Sequence, residues 1–168
     1  MVEVRVRAVG IDSETDRPVV LLQETEERER MLVVAIGEPE AVALASVLEG
    51  TRPRGRPGTH QLIGDILAAF GRQLRSVRVR GLSEQIFLAE LQLDDGTVVD
   101  ARTSDAVVLA LQADVRIDVA DTVIDRAGVA PRTITMDQAG PGPGPPEVEE
   151  FRRFLDDAVP DDFGEDPP

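Results

Sequence analysis

Residues 98–111 constrain the fold more than any other stretch. A β-branched run ends near Asp100. Within a few residues it gives way to a run of helix formers, 106–111, that contains no polar side chain. That change spells a strand, a sharp turn and a helix buried on most sides rather than along one stripe. Ser104 stands where a hydroxyl caps the new helix by accepting from its unpaired N–H groups. Asp100, Arg102, Ser104 and Asp105 thus crowd the start of an otherwise apolar element. Two carboxylates, a guanidinium, a hydroxyl and the positive end of a helix dipole suit a phosphate or a divalent cation. A plain helix cap with an Asp100–Arg102 ion pair accounts for the same residues.

The totals narrow the chemistry. A chain of 168 residues makes one domain with room for a single core. There is no cysteine, which excludes disulfides, thiolate metal sites and a cysteine nucleophile. His60 is the only histidine, so multi-histidine zinc sites are excluded and any metal rests on carboxylates, which favours Mg²⁺ or Mn²⁺. Every basic residue is arginine, which rules out Schiff-base lysines and Walker-type phosphate loops. The net charge is −14 and uneven: residues 1–132 hold 22 acids against 16 arginines (−6), and residues 133–168 hold 10 acids against 2 arginines (−8). Such a balance opposes non-specific binding to nucleic acid, so any such activity needs a local arginine patch. Without Trp or Tyr, base-stacking platforms are disfavoured. No apolar run is long enough to span a bilayer and the N-terminus has no signal-peptide pattern, which gives the expectation of a cytoplasmic protein without membrane partners.

Along the chain, Val2, Val4 and Val6 alternate with charged residues, the pattern of a strand with one wet face. Residues 18–23 and 31–36 are apolar strands joined by a charged loop, forming a meander with the first. Pro39 and flanking acids open a helix whose stripe is Ala41, Leu44, Ala45 and Leu48. Residues 51–58 set Arg52, Arg54 and Arg56 on a Pro/Gly frame, either a solvated loop or a phosphate clamp. Thr59 is placed to cap the next helix, with Leu62, Ile63, Ile66, Leu67 and Phe70 as its core face. His60 falls in the first turn of that helix, as an acid–base group or as part of the cap.

Strands follow at 73–82, 86–93 and 97–101, the last two joined by an Asp95-Gly96 hairpin turn. Arg5, Arg7, Arg78 and Arg80 either merge into one arginine surface or pair with Glu3, Glu84 and Glu90. A short strand at 115–119 and a helix at 120–127 complete an α+β domain: a mixed, largely antiparallel sheet with packed helices over residues 1–132. A Pro/Gly-rich linker at 133–146 and a flexible acidic tail at 147–168 with a possible short helix follow.

Three blocks carry a resemblance: residues 36–41 with 48–50, then Arg56-Pro57-Gly58-Thr59-His60-Gln61-Leu62, then Asp100-Ala101-Arg102-Thr103-Ser104-Asp105-Ala106. In this order they resemble the signature blocks of the bifunctional nuclease (BFN) domain family. The resemblance implies a compact α+β domain, a homo-oligomer, and cleavage of RNA and DNA. It also implies a site at Glu40, Arg56, Thr59, His60, Asp100, Arg102, Ser104 and Asp105. Gln61 stands where the family usually has an acid, and Thr103 where it usually has a proline.

The expectation is phosphodiester hydrolysis of RNA and/or DNA. Arg56 and Arg102, with Thr59 and Ser104, hold the phosphate; Asp100 and Asp105 hold a divalent cation, Mg or Mn; His60, Asp100 and Asp105 form the catalytic set. The alternative is a non-catalytic ligand-binding or oligomeric assembly module whose acidic tail docks on an unknown partner.

Overall fold

The alternating valines at the N-terminus become β1 (Val2–Asp12), which lies near the middle of a mixed sheet. The computed structural model describes residues 1–13, 15–25, 29–50 and 56–131, together with the backbone of 136–138. Arg52 and Arg54 of the arginine-rich loop, the Pro/Gly run at 140–146 and the acidic segment 147–168 lie outside the described residues.

β1 pairs antiparallel with β2 (Arg17–Glu24), and β2 with β3 (Met31–Ala35), as the meander pattern requires. A second antiparallel meander follows the first two helices: β4 (Leu74–Ser83), β5 (Ile86–Leu93) and β6 (Val98–Arg102). The β5–β6 turn is the Asp-Gly hairpin, with Gly96 at φ +86 where a side chain would be strained. The two meanders are joined by β7 (Ile117–Val119), antiparallel to β1 and parallel to β4, giving the order β3-β2-β1-β7-β4-β5-β6. β8 (Met136–Gln138) adds a further antiparallel pairing to β1, within the stretch whose composition reads as linker. The fold is α+β, with one parallel pairing in an otherwise antiparallel sheet among the described residues.

Four helices complete the described fold: α1 (Glu38–Leu48), α2 (Thr59–Ala69), α3 (Thr103–Ala113) and α4 (Asp121–Ala127). α3 is the central one. Ala106, Val107, Val108, Leu109 and Ala110 are all buried, as the absence of polar residues there demands. They pack with Val77, Val79, Ala89 and Leu91 of β4 and β5 into one core that also holds Leu22, Leu32, Leu44 and Ile124. Each large apolar side chain so enclosed contributes about 1.5–3 kcal/mol. α4 adds Val123 and Ile124 to this core.

Two helical stripes differ from their periodicity. In α1, Leu44 and Glu40 are the buried residues, while Leu48 is exposed and Val47 packs against the core instead. In α2 no residue is buried: Ile63 touches the core, but Leu62, Ile66 and Phe70 are 48%, 47% and 79% exposed. Periodicity identifies an apolar face but not what covers it, and the main neighbour of α2 is α3 alone. Replacing Phe70 by serine is therefore expected to change the unfolding free energy by no more than about 0.5 kcal/mol, as read from urea denaturation.

On the opposite face of the sheet, strand alternation sends Arg78, Arg80, Glu90 and Asp100 away from α3. They form a cross-strand ladder: Arg78 to Glu90 at 3.2 Å, Arg80 to Glu90 at 3.6 Å, and Arg80 to Asp100 at 3.1 Å. Of the two arrangements open for these arginines, pairing with acids is the one adopted by Arg78 and Arg80. Glu90 and Asp100 are their partners.

Candidate active site

Three helices begin at one place. Glu40 is the third residue of α1, His60 the second of α2 and Asp105 the third of α3. Arg102, at the cap position of α3 with extended φ −66 and ψ 143, links them. Its Nε donates to Asp105 Oδ2 at 2.7 Å, and its Nη2 donates to Asp105 Oδ1 at 3.2 Å and to Glu40 Oε1 at 2.7 Å. His60 Nε2 lies 2.9 Å from Asp105 Oδ1. Residues 60 and 105, far apart in sequence, thus share one hydrogen bond.

The electrostatics fix the histidine tautomer. Burial on its own would raise the Asp105 pKa, but the Arg102 hydrogen bonds, then the His60 bond, outweigh it and hold the carboxyl below its ordinary value. An ionised carboxylate only accepts, so His60 Nε2 must carry the proton between them. Nδ1 of a neutral His60 is then left with its lone pair. The Arg102 guanidinium is pushed the other way, its proton held more tightly by Asp105 and Glu40. Because the folded Asp105 pKa is depressed, its stabilisation is complete above the ordinary carboxylate range near about pH 4. It is lost as pH falls through the lower folded value. Asp105→Asn is expected to flatten the acid limb of the stability–pH curve, measured by denaturant unfolding between neutral and acid pH.

The cluster sits at one end of a cleft of about 850 Å³ between α1 and α2, floored by α3. Glu40, Thr59, His60, Asp100, Arg102 and Asp105 line it, and its walls are apolar at Val42, Val47, Ile63 and Leu109. Arg56 lines an adjoining cleft with Arg72 and Gly50. The two clefts share Ser46, Val47, Gln61, Leu109 and Gln112, so Arg56 and Arg102 line adjoining parts of one depression.

Several expected roles are filled differently. Asp100 borders the same cleft, but its carboxylate pairs with Arg80 at 3.1 Å, since alternation along β6 turns the side chain away from α3. Ser104 is not the cap: β6 pairs as far as Arg102, opposite Leu88, and passes straight into α3 at Thr103 with no turn between, so Ser104 is buried inside the first turn. The Thr103 hydroxyl donates to the Phe87 carbonyl at 3.0 Å, tying that turn to β5. Thr59 is likewise the first helical residue, not the cap. Gly58 takes the cap position, and its N–H donates to Gln61 Oε1 at 3.2 Å. Gln61 thus does the back-bonding that an acid at that position would also do.

A two-carboxylate metal site does not fit these residues. The Asp100 carboxylate is paired with Arg80, both oxygens of Asp105 already accept from Arg102 and His60, and Glu40 accepts from Arg102. Among the described residues no group of three His, Asp or Glu side chains is placed to hold an ion. Glu40, read from sequence as a first-turn acid complementing the helix dipole and a motif position, is a direct partner of Arg102. Only the folding together of α1 and α3 makes that pair.

An α+β domain with an imidazole–carboxylate pair beside an arginine, at the meeting point of three helix starts, is the class of protein that emerges. Residues 20–132 match the family described as Bifunctional nuclease domain, and the chain belongs to that family. It is also similar to two proteins of Mycobacterium tuberculosis, "Uncharacterized protein MT1877" of strain CDC 1551 / Oshkosh and "Uncharacterized protein Rv1829" of strain ATCC 25618 / H37Rv. Each is 40% identical over 163 residues, covering 97% of this chain and 98% of the relative. Among the described residues no helix is long and apolar enough to cross a membrane.

Proposed function

We propose that this domain cleaves phosphodiester bonds in RNA or DNA, with His60 as the proton-transfer group. The observation that carries this is the 2.9 Å contact between His60 Nε2 and Asp105. It orients the ring and leaves Nδ1 to take a proton from an attacking hydroxyl and return it to the leaving oxygen. Arg102 uses its Nε and Nη2 on the two carboxylates and keeps Nη1 for a phosphate oxygen; its side chain is 70% exposed. Family membership supports the substrate class. The test is cleavage of labelled RNA and single-stranded DNA by protein purified to a single folded species. Activity that tracks the protein peak supports the proposal, and its absence from that peak overturns it.

The uncovered apolar stripe of α2 favours a second reading, an assembly module that pairs with another copy of itself. Sedimentation separates the two: a mass above the monomer that falls in Phe70→Ser, without cleavage by the parent protein, supports assembly alone.

A further inference from the structure

Glu40 is an odd residue to find buried. Its side chain is 11% exposed, whereas the arginine it bonds is 70% exposed. A carboxylate drawn out of water is costly unless its partner and neighbours hold it closely. Two features do so. Arg102 Nη2 donates to Oε1 at 2.7 Å, and Oε2 lies so close to Gly37 that a Cβ added there would sit 2.3 Å from it. Gly37 has φ −82 and ψ 162, open to any residue, so the space at Gly37 serves the carboxylate rather than the backbone.

We propose that Glu40 is a positioning residue: seated against Gly37, it holds the guanidinium of Arg102 so that the Nη1 edge faces the cleft beside His60. The proposal rests on the nuclease reading for its catalytic consequence but not for its geometry. Asp105 alone grips one edge of the guanidinium, and that edge belongs to the same helix as Arg102. Glu40 reaches in from α1 and takes the remaining Nη2 proton, which fixes the plane against both helices. Without Glu40, Arg102 swings about its link to Asp105 and Nη1 loses its aim at a phosphate oxygen. A misplacement of that kind lowers turnover more than it weakens substrate binding.

Two readouts test this. The first is nitrogen NMR of the Arg102 guanidinium, assigned by its loss in Arg102→Lys, which reports rotation about the Cζ–Nε bond. Rotation is expected to speed up about tenfold or more in Glu40→Ala, the range a charge-assisted hydrogen bond provides. Gly37→Ala, which pushes the carboxylate off its seat while keeping it charged, is expected to do the same. Glu40→Gln retains an oxygen acceptor without the charge and falls between the parent and Glu40→Ala.

The second readout is kinetics. In Glu40→Ala and Gly37→Ala, kcat falls about tenfold or more with little change in KM. In Glu40→Gln, which keeps an oxygen acceptor for Arg102, the fall in kcat is smaller than in Glu40→Ala. Unchanged guanidinium rotation in both Glu40→Ala and Gly37→Ala overturns the proposal. If Glu40→Ala does not fold, Gly37→Ala decides. A parent protein without cleavage defeats the proposed function, and the rotation rates still decide the role of Glu40.

Discussion

Replacing His60 by alanine is expected to lower the rate of phosphodiester cleavage by about 10²–10⁴, the range for loss of a positioned general acid–base group. His60 is the only histidine and there is no lysine or cysteine in the chain, so no other side chain with an ordinary pKa near neutrality stands ready to replace it. The fold should survive. Asp105 keeps both bonds to Arg102, so its charge is not stranded, and α2 contributes no buried residue to the core. Asp105→Asn is the companion variant: it keeps the imidazole but exchanges an obligate acceptor for an amide, freeing the ring to take either tautomer. Its loss of rate should be smaller than that of His60→Ala, with circular dichroism unchanged in both. Parental turnover in a folded His60→Ala protein removes the imidazole from the chemistry.

Leu44→Ala is expected to cost about 2–5 kcal/mol of unfolding free energy, by loss of transfer energy and creation of a cavity. Leu44 is fully buried and is the one large apolar side chain that anchors α1 completely within the core. Glu40 lies one turn before it on the same inner face, so a loosened α1 also slackens the grip on Arg102. A fall in the urea midpoint with an unchanged m-value, accompanied by reduced turnover, is the expected pair of results. The contrast with Phe70→Ser is instructive: both residues belong to apolar helical stripes, yet only one has a packed neighbour on every side.

Local patterning carried much of the fold. The polar-free run at 106–110 had to be buried whatever surrounded it, because no face of such a helix is better off in water. Asp95-Gly96 dictated a hairpin through the positive φ that glycine alone takes without strain. The missing cysteine and lysine closed off whole classes of chemistry before any geometry was known. The order of the three motif blocks pointed to the family that residues 20–132 match.

What only tertiary structure decided was which of those residues meet. Asp100 and Asp105 are near neighbours in sequence, but the pleat of β6 sends one carboxylate to Arg80 on the far side of the sheet. Glu40, His60 and Asp105 are remote in sequence, but α1 and α2 both pack against α3 and bring their first turns together. β6 runs directly into α3 without intervening turn residues, which puts the cap at Arg102 rather than Ser104 and the guanidinium in reach of both acids. Periodicity is a property of a segment and its own turns; the identity of a partner across the core depends on strand order, which no single segment encodes.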